Sequence, residues 1–249
     1  MNALPTFGFV TVHEASLADG AASEAAWLAR AAATGRASAH LWRGATGFSA
    51  PRSYQRLPRW GEACGASGAA GWPVHLRASG GGLVPQGPGV LNLSLAWPRA
   101  STAPIAFDAV YRELGAALAA AFDHIGITTS VQSVEGSFCD GRFNLAYRGR
   151  KLVGTAQAWS RVGGQPVVLA HAVIVVSADP ASLTEAANRF ESMAGSGRRY
   201  RADALTNVSE AWRAAHAADV APHDVEVRVA MCVAEQFARL IPPLGSVEA

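Results

Sequence analysis

Apolar residues recur along this chain at two spacings, every second position or every third to fourth, and the switches between them mark its elements. "FGFVTV" (7–12) predicts a strand. "AASEAAWLARAAATG" (21–35) predicts a helix with Trp27, Leu28 and neighbouring alanines on its buried stripe, Glu24 and Arg30 on its solvated side, and Gly35 as its stop. "SAHLW" (38–42) predicts a second strand. The Gly-, Ser-, Pro- and Arg-rich run "RGATGFSAPRSYQRLPRW" (43–60) predicts a loop, followed by a short helix over 61–70. Strand "WPVHLRA" (72–78) enters the loop "SGGGLVPQGPG" (79–89) and strand "VLNLSLAW" (90–97) leaves it, which puts the loop at a sheet edge or mouth.

The longest helical signal is "IAFDAVYRELGAALAAAFDHIG" (105–126), closed by Gly126. Strands over 127–134, 143–148, 151–159 and 166–177 follow, with a polar loop "EGSFCDG" (135–141) among them and a tight turn at Arg148-Gly149. Helices over 180–194, 208–218 and 224–240 complete the pattern. Clustered strands with interspersed helices, and no linker, predict one α+β domain over 1–249: a mixed, mainly antiparallel sheet packed with helices.

Composition narrows the function. Half of the residues are apolar and the net charge is only +2, with no long basic run, so neither nucleic acid nor a membrane surface is an expected partner. The first residues carry no charged leader before an apolar core, and no apolar run reaches bilayer length, so the expected location is the cytoplasm. Cys64, Cys139 and Cys232 are odd in number and widely spaced, which predicts free thiols and no metal site.

Of the 21 lysines and arginines only Lys151 is a lysine. A compact ammonium on a flexible stem puts its charge on one oxygen, where arginine presents a broad fork. In a strand, Lys151, Val153, Thr155 and Gln157 share one face. Two readings stand for that face: the wall of a polar pocket, or the wet side of a sheet.

Three consecutive glycines, Gly80 to Gly82, let backbone N–H groups converge on an anion, with Arg77 beside them. A plain connecting loop is the other reading. Neither a Walker nor a Rossmann fingerprint is present.

Taken in order, "RASGGGLVPQGPGVLN" (77–92), "CDGRFNLAYRGRKLVGTAQAW" (139–159) and "LAHAVIVV" (169–176) resemble the lipoate-protein ligase and octanoyltransferase superfamily, whose fold is shared with biotin-protein ligases and class II synthetases. The resemblance implies attachment of a lipoyl or octanoyl group to a lysine of a lipoyl-domain carrier, either a 2-oxoacid dehydrogenase E2 or the glycine-cleavage H protein. Lys151 matches the family's invariant lysine. The triple glycine and Gly141-Arg142 resemble the ligases, which use ATP with Mg2+ to form an acyl-adenylate from lipoate or octanoate. The alternatives are an ATP-independent transferase with a Cys139 thioester, and a non-catalytic lipoate-binding relative.

Catalytic roles are thereby expected for Lys151 and Cys139. Ligand contacts are expected from Arg77, Ser79, Gly80, Gly81, Gly82, Gly87, Asn92, Gly141, Arg142, Gly154, Thr155, Ala156, Gln157 and His171. Departures exist: Leu76-Arg77 stands where the ligases have paired arginines, and Gln86 stands where they have His-Asp. No segment is left for a C-terminal accessory domain, so a separate accessory chain is a possible partner.

Overall fold

The computed structural model describes residues 4–100 and 107–239. The expected start of the long helix at Ile105 and Ala106, and the expected end of the last at Leu240, lie outside them. In chain order the elements are β1 (Thr11–Val12), α1 (Gly20–Thr34), β2 (Ser38–Trp42), β3 (Gly47–Pro51), α2 (Trp60–Ala69), β4 (Val74–Arg77), β5 (Val84–Gln86), β6 (Val90–Pro98) and α3 (Phe107–Asp123). There follow β7 (Ser130–Gln132), β8 (Asn144–Tyr147), β9 (Arg150–Val162), β10 (Gln165–Val175), α4 (Pro180–Ala194), α5 (Val208–His216) and α6 (Pro222–Ala238).

Seven strands form the main sheet in the order β1-β2-β6-β10-β9-β8-β7, and β4-β3-β5 form a second, smaller one. In the main sheet β2, β6, β10, β9, β8 and β7 are antiparallel neighbours, and β1 pairs with β2 in parallel. The expected α+β class and mainly antiparallel sheet are what is found.

Alternation gives the central strands two different buried faces. On β6, Leu91, Leu93, Leu95 and Trp97 join Val168, Ala170, Ala172 and Ile174 of β10 in a core closed by α3 and α6. Full burial of a leucine such as Leu93 or Leu95 contributes about 2 kcal/mol. The opposite face carries Asn92 and Ser94 of β6, His40 and Trp42 of β2, and His171 of β10, all buried. Burying a polar side chain costs free energy unless it has a partner. This face is covered by α1 and the smaller sheet, and the site forms there.

Local signals account for the helix ends. Asp19 caps α1 by accepting from Ala22 N at 3.0 Å, and Gly35 closes the helix with φ of 70°. Asp179, Pro180 and Gly195 do the same for α4.

Four expectations need correction. The run 43–60 is not loop throughout: it holds β3 and a 3₁₀ turn over Arg52–Arg56, because Phe48 and Ala50 alternate into a core with Phe190 and Leu83. The first strand shrinks to Thr11–Val12, where the main sheet offers a partner. The expected loop 79–89 is not a single connection: it contains β5, and the strands it was expected to join, β4 and β6, lie in different sheets. Its glycine stretch runs from β4 to β5 in the small sheet, and a tight turn then leads into β6 of the large one. Glu24, expected on the solvated side of α1, is 5% exposed because its partners lie on the sheet beneath it.

Candidate active site

Lys151 enters the site through a β-bulge. Leu145 pairs with Val153 and Ala146 with Lys151, so β9 uses two steps where β8 uses one and Leu152 is the extra residue. The bulge breaks the simple alternation expected for 151–157. Lys151 therefore shares a face with Gly154 rather than with Val153 and Gln157: a Cβ on Gly154 would lie 3.1 Å from both Cε and Nζ of the lysine.

The Lys151 side chain is 5% exposed. Its ammonium donates to the carbonyl of Phe138 and, at 2.8 Å, to that of Cys139. Burial pulls its pKa down to about 8, with Cys139 and Asp140 opposing the shift and Arg77 adding to it.

Arg77 ends β4 and is buried behind the glycine loop. It donates to Ser49 O at 2.5 Å, Gly80 O at 2.9 Å and Gly82 O at 2.6 Å. Burial lowers its pKa, and the neighbouring Cys139 works against that. With its carbonyls gathered by this guanidinium, the loop turns the Gly82 N–H to Cys139, whose Sγ accepts it at 3.4 Å. The loop has no room for a side chain here: Gly81 has φ of 104°, and a Cβ on it would sit 2.2 Å from the sulfur.

Cys139 itself has φ of 52°, the left-handed region that costs a non-glycine residue about 1–2 kcal/mol. Three groups hold it there. Asn144 Nδ2 and Lys151 Nζ both donate to its carbonyl at 2.8 Å, and Gly141 N donates to it at 2.8 Å as well. Strain kept by surrounding contacts is the pattern of a functional site.

From this centre a pocket of about 780 Å³, counting its solvent-open mouth, runs between the two sheets. Trp42, Val90, Val173, Val175, Leu183 and Leu205 give it apolar walls. Farther along β9, Ala156 pairs with His171, and there the lining turns polar. His171 Nδ1 lies 2.5 Å from Glu24 Oε1, which also accepts from Ser94 Oγ at 2.7 Å. Ser94 in turn accepts from Trp42 Nε1 at 2.9 Å.

The structure thus brings together Arg77, Cys139, Lys151, Gly154, Thr155, Ala156 and His171 around one pocket. Ser79, Gly80, Gly81 and Gly82 form the loop beside it, and the buried Ser79 hydroxyl has no partner among the described residues. The other expected residues sit elsewhere. Gln157 reaches Phe107 O and Trp159, on the α3 side of the sheet. Arg142 is exposed and paired with Asp108, and Gly141 forms the turn after Cys139. Asn92 is locked in a reciprocal amide pair with Gln86, and Gly87 is a turn packed on Thr46.

Glu24, Trp42, Ser94 and Asn144 were not expected at the site. Ser94 carried a signal in retrospect, since a serine alternating with leucines in "VLNLSLAW" is a polar residue aimed at a buried face.

An apolar cleft with one ammonium, one thiol and one backbone donor at a single place suits an acyl group with its carbon chain in the cleft. Residues 63–227 match the family described as lipoyl protein ligase A/B catalytic domain, and the chain belongs to that family.

It is 44% identical over 192 residues to an uncharacterized protein of Cupriavidus necator, covering 72% of this chain and 76% of that one. It is 38% identical over 146 residues to the octanoyl-GcvH:protein N-octanoyltransferase of Kyrpidia tusciae, covering 55% of this chain and 49% of the relative. The chain therefore spans about half the length of the curated octanoyltransferases it matches. Among solved structures it resembles lipoate-protein ligase A bound with ATP, with a TM-score of 0.65, 15% identity and coverage of 92% and 85%. It also resembles the bi-partite lipoate protein ligase of Thermoplasma acidophilum, with a TM-score of 0.63, 17% identity and coverage of 94% and 84%. At such identities these structures show the shared fold.

Proposed function

We infer that this chain transfers an octanoyl or lipoyl group to a lysine of a lipoyl-type carrier domain, by way of a thioester on Cys139. The observation that carries this reading is the place of the Cys139 sulfur, against the Gly82 N–H and beside the pocket that Lys151 and Arg77 line. The curated relatives named as octanoyl- or lipoyltransferases support it.

In the first step the Cys139 thiolate adds to the acyl carbonyl of the donor. The new C–S bond forms, and the Gly82 N–H and the Lys151 ammonium stabilise the oxyanion. The donor's amide or thioester bond then breaks, and its leaving group takes up the proton that the thiol gave. In the second step the acceptor lysine's neutral amine attacks the thioester, the C–S bond breaks, and the amine's proton passes to the departing sulfur. An ammonium with a pKa of about 8 is suited to lend a proton to a departing amine near neutral pH.

The ligase reading, with ATP and Mg2+, has one observation in its favour. Ser79 keeps a buried hydroxyl without a partner among the described residues in the triglycine loop, where a phosphate oxygen would find a donor. Against it, the Arg77 guanidinium is already spent on the carbonyls of Ser49, Gly80 and Gly82.

The test is intact-mass analysis of the protein after incubation with an octanoylated carrier domain and no ATP. An octanoyl adduct is expected on the wild type and absent from Cys139→Ser, with transfer to a second carrier lost in parallel. Transfer that appears only when ATP is added, and survives in Cys139→Ser, replaces this reading with the ligase one.

A further inference from the structure

The segments 52–59 and 195–201 carry six arginines and no acid. They are distant in the chain and adjacent in space. Arg59 Nη2 donates to Ser192 O at 2.7 Å, and the Arg198 guanidinium lies 5.8 Å from the centre of the Tyr54 ring. Arg52, Arg56, Arg59, Arg198 and Arg199 are all exposed, and none forms an ion pair among the described residues. Outside the patch some exposed arginines are paired, as Arg142 with Asp108 and Arg213 with Asp219, and others, such as Arg36 and Arg148, form no ion pair among the described residues; the patch gathers five of the latter kind on two adjacent segments. The next acid after Arg59 in the chain is Glu62, in the first turn of α2.

This patch borders the reaction centre. The point that a Gly82 Cβ would occupy lies 3.5 Å from Arg198 Nη1 and 3.7 Å from Cys139 N, so the guanidinium and the thiol loop flank the same glycine. The backbone N of Arg201, the sixth arginine, donates to Gly136 O at 2.8 Å in the loop before Cys139, and the Tyr200 ring packs edge-on against Phe138. Both loops that hold the thiol are therefore edged by arginine.

We propose that this arginine face is the docking surface for the carrier domain, and that the surface it recognises is acidic, with carboxylates set around the acceptor lysine. The inference rests on the transfer reading above and adds where the protein substrate sits. Five exposed guanidiniums with no ion pair among the described residues are more than one phosphate group needs. They match a field of carboxylates on a folded partner, which they steer and orient before the lysine reaches the thioester. Such contacts weaken with salt, because charges at a solvated rim are screened over about 8 Å at physiological ionic strength.

The test compares the wild type with the triple variant Arg52→Gln, Arg56→Gln, Arg199→Gln, none of whose side chains lines the pocket. With an apo carrier domain as acceptor at low salt, KM is expected to rise about tenfold or more while kcat holds, and the salt dependence of KM to flatten. Acylation of Cys139 by a small octanoyl thioester is expected to be unchanged. A triple variant with wild-type KM and wild-type salt response overturns the docking surface.

Fluorescence anisotropy of labelled apo carrier domain reads docking without turnover. If the wild type forms no adduct and transfers nothing, the transfer reading fails, and the binding arm still decides this one. Weaker binding by the triple variant upholds it, and equal binding, or a preference for a duplex oligonucleotide over the carrier, overturns it.

Discussion

Lys151 and Gly154, three positions apart on β9, meet on one face of the sheet, with the ammonium lying over the glycine. A methyl group on Gly154 would come within 3.1 Å of the lysine's Nζ and Cε. Contacts that close are resolved by the softer partner, here the flexible end of a side chain. Gly154→Ala is thus expected to push the ammonium off the Phe138 and Cys139 carbonyls and lower kcat for transfer at least about tenfold. Its urea midpoint should stay near that of the wild type, since β9 keeps its ladder. A variant with unchanged kcat would show that the lysine's present position is not the working one.

In the proposed transfer, the pKa of Lys151 sets an alkaline limit. Burial lowers it from 10.5 to about 8, so the ammonium assigned to the oxyanion is lost as pH rises through about 8. A plot of kcat against pH is expected to fall on that side, and Lys151→Arg, which keeps charge without the same reach, to lose about a hundredfold or more at every pH. Stability moves the other way. Between about 8 and 10.5 the unfolded chain holds a proton that the folded one has released, so this group adds stability as pH climbs across that window. Activity that persists unchanged to pH 10 would rule out a charged Lys151 as the working species.

Much of this fold was legible in the chain, and what escaped has a common cause. β2, β6 and the ends of α1 and α4 follow from local pattern: alternation in "SAHLW" and "VLNLSLAW", Gly35 after α1, Pro180 and Gly195 around α4. Lys151 and the triglycine loop stood out by composition alone. The bulge at Leu152 left no trace, because it depends on how β8 registers against β9, and the regular alternation then put Gln157 on the wrong side. Glu24 looked solvated because its partners, Ser94 and His171, come from distant strands. Pairwise polar contacts between remote segments decided each of these, and periodicity within a segment does not report them.

Glu191 braces the glycine loop from behind. Fully buried on α4, its Oε1 accepts from Tyr54 at 2.7 Å and Tyr200 at 2.6 Å, while Tyr54 Oη accepts from Leu83 N at 3.0 Å. Burial, reinforced by the glutamate, pushes the Tyr54 hydroxyl up to about 12 and raises that of Tyr200 as well. Both phenols remain donors at any working pH. Glu191→Leu strands two buried hydroxyls and is expected to cost about 2–4 kcal/mol in urea unfolding. Glu191→Gln, which keeps an acceptor, should recover most of that. Equal stability of the leucine variant and the wild type would show that the brace carries no weight.

His40 ties the edge of the main sheet to acid. The ring is 8% exposed, stacked on Trp27 at 3.9 Å, with Nδ1 3.2 Å from Nε2 of His13 and its own Nε2 without a partner among the described residues. Burial, then repulsion from His13 and Arg30, lowers its pKa from 6.5 to about 4. The folded protein therefore holds His40 neutral in a range where the unfolded chain protonates it. From pH 6.5 down to about 4, stability is lost at about 1.4 kcal/mol per pH unit, or about 3 kcal/mol in all. Carboxylates titrate in the same range, so the informative quantity is a difference. Urea unfolding of the wild type and of His40→Leu, followed from pH 7.5 to 4.5, should show the wild type losing ground steadily against the variant. A stability difference that stays constant across that interval would mean that the buried imidazole takes up its proton without cost, and that the β1–β2 edge owes its acid response to other groups.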